Sequence, residues 1–127
     1  LDICGADIPG SVDGRSLLPF LRGRRPPAWR GHVHIEHTGG AMAIVTGRHK
    51  YIWFPKTGRE LFFDLEQDPS EQHDLSRADP AKREMDHCRR LLIRELKGRE
   101  EGYTNGQRLL PGRPEKAVLD FVTRGLA

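Results

Sequence analysis

Cysteine is scarce in this chain: Cys4 and Cys88 are the only two among 127 residues. Thiols so far apart in sequence permit one disulfide without demanding it, and two cannot build a cysteine-rich metal knuckle. Cys88 falls on the apolar side of a predicted helix, which points to a buried thiol rather than a reactive one. Aromatic residues make up only 7% of the chain. No apolar run nears the ~20 residues a membrane span requires, so no membrane partner is expected. The longest apolar clusters, Ala41 to Val45 and Tyr51 to Phe54, have the length of strands. Also missing is a basic leader before an apolar core: the sequence opens on Leu1-Asp2-Ile3-Cys4, without Met. No signal peptide is expected, and the chain reads as a piece of something longer. The compartment stays open.

Charge of one sign is lacking too. Lys and Arg number 21 against 18 Asp and Glu, leaving +3. The clusters Arg22-Gly23-Arg24-Arg25 and Arg89-Arg90 could contact phosphates, but acidic residues are interspersed and no aromatic interleaving accompanies them. Nucleic acid is therefore not an expected partner. Neither internal repeats nor low-complexity tracts are visible.

What is present organises into three stretches. Residues 1–28 form a leading segment with turn chemistry at Ile8-Pro9-Gly10 and a short helix carrying Leu17, Leu18, Phe20 and Leu21. Asp13 or Ser16 would cap this helix, and Gly23 and Pro26-Pro27 would stop it. Residues 29–100 hold the main subdomain. His32-Val33-His34-Ile35-Glu36 alternates, with Val33 and Ile35 on one face and His32, His34 and Glu36 on the other. His37-Thr38-Gly39-Gly40 leads into a turn and a second strand over Ala41–Thr46. Gly47-Arg48 connects tightly to His49–Phe54, and Pro55-Lys56-Thr57-Gly58 turns into a fourth strand over Glu60–Leu65. Short connections favour antiparallel hairpins, and the alternation of Leu61, Phe63 and Leu65 predicts that these three share a buried face.

Asp68-Pro69 ends that strand, and Asp79-Pro80 reads as a helix start, with Asp as cap and Pro in the first position. Ala81, Met85, Cys88, Leu92 and Leu96 recur at three- and four-residue spacing and form one stripe, with Gly98 as the stop. The expected fold is α+β: a small four-stranded antiparallel sheet packed against a long C-terminal helix. Residues 101–127 form a tail with a possible last helix from Pro114 to Thr123.

Several motifs agree in order. Lys50-Tyr51, then Leu61-Phe62-Phe63-Asp64-Leu65, then Asp68-Pro69 with Glu71, then Asp74-Leu75 follow one another. Upstream stands Val12-Asp13-Gly14-Arg15-Ser16-Leu17-Leu18-Pro19. The series resembles the carboxy-terminal region of type I (arylsulfatase-like) sulfatases, with His73 replacing the usual Asn and one extra Phe. The likeness covers about two thirds of the chain. Physically the motif reads as architecture: short carboxylates at Asp64 and Asp68 bind free turn amides, and Asp68-Pro69 enforces an extended residue.

The resemblance implies a sulfuric ester hydrolase whose formylglycine arises in a Cys/Ser-x-Pro-x-Arg motif. It also implies calcium held by several carboxylates, and an N-terminal α/β catalytic domain as partner. Cys4 is followed by Gly5-Ala6-Asp7 and lacks that motif, so no catalytic residue and no metal ligand is assigned, and no cofactor is expected in this chain. Alone it is expected to be inactive, with a structural and pocket-shaping role. Glu36, His37 and Thr38, a polar loop at a strand end beside glycines, are the candidates for a substrate rim. His32, His34 and Glu36 could bind a transition metal, against a solvated or domain-facing strand face. Two alternatives stay open: an independent binding or interaction module, and the C-terminal part of a related phosphonate or phosphodiester hydrolase. A severed domain interface would also favour a homo-oligomer.

Overall fold

A computed structural model describes residues 1–12, 14–26, 29–37 and 40–113. The chain divides into a leading unit, Leu1–Arg30, and a main unit beginning at Gly31. In the leading unit Asp2–Cys4 makes a 3-10 turn and Leu18–Leu21 a single turn of helix, α1. The Ser16 hydroxyl accepts the Leu18 amide at 3.2 Å, but Leu17 holds the cap position and no side chain caps α1, so Ser16 is not the cap that the sequence suggests; Asp13 lies outside the described residues. Phe20 meets Trp29 edge to face at 4.6 Å.

The main unit is a meander of β1 (His32–His37), β2 (Ala41–Thr46), β3 (His49–Trp53) and β4 (Glu60–Asp64), in the order β1-β2-β3-β4. All pairings are antiparallel. Thr46 sets the β2–β3 turn, its hydroxyl accepting the His49 amide at 2.9 Å. At the β3–β4 turn Gly58 sits at φ 73°, and a Cβ there would come within 3.0 Å of Pro111. Only glycine fits both demands.

Helix α2 spans Lys82–Glu95. The predicted stripe is the one that packs: Met85, Cys88, Leu92 and Leu96 are buried, joined by Leu91, with Ala81 partly buried beside them. They meet Met42, Ile44, Tyr51, Trp53 and Phe62 from the sheet, and Tyr103, edge to face with Trp53 at 5.9 Å, closes the cluster. Each large side chain so buried contributes ~1.5–3 kcal/mol. The α+β expectation, four antiparallel strands and a C-terminal helix, is what the chain adopts.

Three further details differ from expectation. Asp79 does not cap the helix; it opens a 3-10 turn, Asp79–Ala81, and no side chain caps α2. In β4 the residue facing the helix is Phe62, 1% exposed, because Tyr51 pairs with it and already points there. Leu61 and Phe63 lie on the opposite face, where Phe63 is nonetheless 6% exposed. In β1 the histidine side is not a solvated face. It shares the helix-facing side of the sheet with Ile44 and Met42, while Val33 and Ile35 stand exposed. The proposed last helix, Pro114 to Thr123, lies outside the described residues.

Candidate functional site

The sequence-predicted rim sits at the end of β1. Glu36 and His37 are its last two residues, and both are exposed; Thr38 lies outside the described residues. Glu36 is already committed. Its carboxylate accepts both Nη atoms of Arg99, the Nη2 bond being 3.2 Å long, and the same guanidinium also grips Glu101. The contact with Glu36, followed by that with Glu101, holds the Arg99 guanidinium above its ordinary pKa. The two-point contact ties the end of β1 to the loop beyond α2. His37 anchors the turn through its backbone carbonyl, which accepts the Gly40 amide at 3.1 Å.

Behind the rim, the helix-facing side of β1 meets the end of α2. His32 Nε2 lies 2.8 Å from Glu95 Oε1. His34 Nδ1 lies 3.6 Å from Glu36 Oε1, while its Nε2 is buried with no hydrogen-bond partner among the described residues. Burial pushes the His34 pKa down, overriding Glu36 and Glu95, so the neutral ring is favoured. His32 thus pairs with Glu95, whereas His34 lies beside Glu36, which Arg99 holds. Among the described residues no three His, Cys, Asp or Glu side chains converge on one point.

A second site was not anticipated. Arg48, His49, Phe62, Asp64, Leu75 and Glu84 help to line a cavity of ≈ 560 Å³ between the sheet end and the start of α2. Arg48 donates to Asp64 Oδ2 from Nε at 3.1 Å and Nη2 at 2.6 Å. Asp64 Oδ1 accepts the amides of Glu66 and Gln67. The Arg48 guanidinium, with those amides, holds the Asp64 carboxyl at about 2. Asp68 accepts the His73 amide at 2.8 Å, and Asp74 accepts those of Phe62 and Ser76. Lys50 grips Glu71 at 2.8 Å and 3.0 Å, although Glu71 has the positive φ of 54° that side chains disfavour. The motif carboxylates thus tie off a loop, as the sequence reading anticipates. Arg48 carried no local signal, because the pairing of β3 with β4 brings it to Asp64; Glu71 stands in the motif, but no spacing rule joins it to Lys50, 21 residues away.

Cys4 is exposed in the leading unit and Cys88 is fully buried on the sheet-facing side of α2; both are free. Burial pushes the Cys88 thiol up to about 11, which makes it a packing residue.

The profile of the family N-sulphoglucosamine sulphohydrolase, C-terminal, matches residues 1–99. The chain belongs to this family. As a sulfatase C-terminal domain it is 44% identical over 117 residues to the arylsulfatase of Clostridium perfringens, covering 90% of this chain and 24% of that protein. It is 33% identical over 100 residues to PehA of Trinickia caryophylli, a multifunctional alkaline phosphatase superfamily protein, covering 64% of this chain and 19% of that one. Its fold is shared with the solved structure of a 2-O GAG sulfatase at TM-score 0.69 and 18% identity, over 95% of this chain and 30% of that chain. The chain therefore spans about a quarter of the curated arylsulfatase it matches.

The calcium implied by the sulfatase resemblance finds no donor set here. Asp64, Asp68 and Asp74 spend oxygens on arginine, backbone amides and the Ser76 hydroxyl, and Glu36 is taken by Arg99. A hard cation needs six to eight converging oxygens, roughly. The described residues do not fit one.

Proposed function

We propose that this sulfatase C-terminal domain shapes the substrate pocket of a sulfuric ester hydrolase, with the reacting groups and the calcium supplied by a separate N-terminal α/β domain. The carrying observation is the commitment of the polar side chains. Glu36, Arg99, Arg48, Asp64 and the loop carboxylates Asp68, Asp74 and Glu71 are locked into structural pairs. What such a domain offers a substrate is a rim, Glu36-His37-Thr38. There Arg99 fixes the strand end and leaves the exposed His37 ring available to a sulfate or sugar oxygen.

The test is a chimera in which the matched quarter of the Clostridium perfringens arylsulfatase is replaced by this chain, assayed with 4-nitrophenyl sulfate and calcium. The chimera is expected to turn over and the isolated chain to be inert. His37→Ala should raise KM about fivefold, the size of one lost hydrogen bond. Turnover by the isolated chain, persisting through repurification, would refute the assignment; unchanged kinetics for His37→Ala would remove the rim.

A second reading, the C-terminal part of a related phosphonate or phosphodiester hydrolase, draws support from the likeness to PehA only in that PehA is a multifunctional alkaline phosphatase superfamily protein. A bis-nitrophenyl phosphate arm in the same assay distinguishes the two.

A further inference from the structure

The buried core leaves β1 out. Its cluster draws on β2, β3, β4 and α2, whereas no residue of β1 is buried. β1 is an edge strand, paired on one side with β2. What ties it to the far end of the helix and the loop beyond is polar: His32 Nε2 lies 2.8 Å from Glu95 Oε1, and Glu36 is gripped by Arg99. A strand attached in this way can open locally without disturbing the core.

His34 sits on the strand between those two ties, and its side chain is 16% exposed. Its Nδ1 lies 3.6 Å from Glu36 Oε1, while its buried Nε2 meets no hydrogen-bond partner among the described residues. A neutral imidazole carries one proton, and Nδ1, beside Glu36, is the place for it. Nε2 then presents only a lone pair. The charged ring carries a proton on both nitrogens, so a buried N–H would find nothing to accept it. An unsatisfied donor on a buried cation costs more than an unused lone pair on a neutral ring.

Nor does a counter-charge stand ready. Around the ring are Glu36 and His32 on its own strand, Glu95 on α2 and Arg99 beyond it, and its register partner on β2 is the uncharged Ile44. Glu36 is held by Arg99 and Glu95 is paired with His32. Arg99, which also grips Glu101, opposes another positive charge nearby. Burial outweighs the two carboxylates and keeps the ring below its ordinary value of 6.5. The open strand therefore takes up a proton at higher pH than the closed one. Closure is at full strength above pH 6.5 and weakens as pH falls through that value.

We propose that β1 is an acid-releasable strand: protonation of His34 loosens it from β2, Glu95 and Arg99 while the core of β2, β3, β4 and α2 stays closed. The device belongs to the fold and holds independently of the function proposed above. Because β1 ends in Glu36 and His37, the strand that loosens is the one that carries the proposed rim.

Amide hydrogen exchange of the chain tests this at about pH 5.5 and about pH 7.5, either side of the ordinary histidine value. Rates are expressed as protection factors, which removes the intrinsic pH dependence of exchange. Protection across β1 should fall at least about threefold at the lower pH, while β3 and α2 keep theirs. His34→Leu, which cannot titrate, should abolish the fall, and His34→Gln serves where the leucine chain does not fold. His87→Gln, on an exposed side of α2, should leave the fall in place. In the same samples the His34 ring should titrate below 6.5 by NMR.

Equal protection of β1 at the two pH values would overturn the proposal. So would a fall shared by β3 and α2, which is global loosening, or a fall that survives the loss of the His34 ring. A His34 ring that titrates at or above 6.5 would overturn it as well, since acid would then hold the strand closed.

Discussion

Arg89 and Glu60 face each other across the helix–sheet boundary in a two-point contact, Nε to Oε1 at 2.7 Å and Nη2 to Oε2 at 2.9 Å. Glu60 begins β4, at one edge of the sheet, and Arg89 stands mid-way along α2. The Tyr51 hydroxyl donates to the same Glu60 oxygen, and Asp86 takes the remaining arm of Arg89. Burial, reinforced by Glu60, raises the Tyr51 pKa well above its ordinary value, so the phenol stays a donor. The contact fixes where along the sheet the helix lies.

Removing one partner should therefore cost more than removing both. Arg89→Ala or Glu60→Ala alone is expected to lower unfolding free energy by about 1.5–3 kcal/mol, the range for hydrogen bonds to charged groups. The double variant should lose less than the sum. Urea unfolding of the four proteins gives the coupling. A coupling near zero would mean the pair is a solvated surface contact.

Leu92 and Ile35 provide a contrast of apolar truncations. Leu92 is fully buried in the cluster between helix and sheet, while Ile35 is 46% exposed on the opposite face of the sheet. Leu92→Ala should cost about 2–5 kcal/mol, and Ile35→Ala less than about 0.5 kcal/mol in the isolated chain. A large loss at Ile35, measured by the same unfolding experiment, would show that the outer face is covered.

Acid should act through Asp64. Its carboxyl sits at about 2 in the fold against 3.8 ordinarily, chiefly through Arg48. The folded state binds fewer protons than the unfolded chain between these values, so this contribution is complete above pH 3.8 and drains away as pH falls through about 2. Asp64→Asn should flatten the unfolding free energy between those limits relative to the parent. An identical acid limb in the two proteins would count against the Arg48–Asp64 contact.

The stripe on α2 was legible because Met85, Cys88, Leu92 and Leu96 repeat at the period of the element that carries them, and nothing elsewhere in the chain alters that period. The strands were legible from turn chemistry, since each pairs with its neighbour in sequence. Which side of β1 meets the helix was not. Alternation separates Val33 and Ile35 from His32 and His34, but ion pairs with Glu95 and Arg99, each 63 residues away, accompany the orientation that turns the polar set toward the helix. In β4, two adjacent phenylalanines make the local pattern ambiguous, and the register with Tyr51 decides between them. Asp79 failed as a cap for a local reason: the turn it opens is 3-10, and α2 starts only at Lys82. Of the rim, the sequence supplied position alone. That Glu36 is occupied by Arg99 depends on a loop beyond α2 that no spacing rule connects to β1.

The nearest-neighbour meander has a kinetic consequence. Strands joined by short turns lose little loop entropy when they pair, so the hairpins β2–β3 and β3–β4 belong to the fast events of folding. The bonds from β1 to Glu95 and Arg99 close loops of 63 residues and should come last. The edge strand that carries the proposed rim would then be the first part of the sheet to exchange its amide hydrogens with solvent. Its geometry would be set only once the helix is in place.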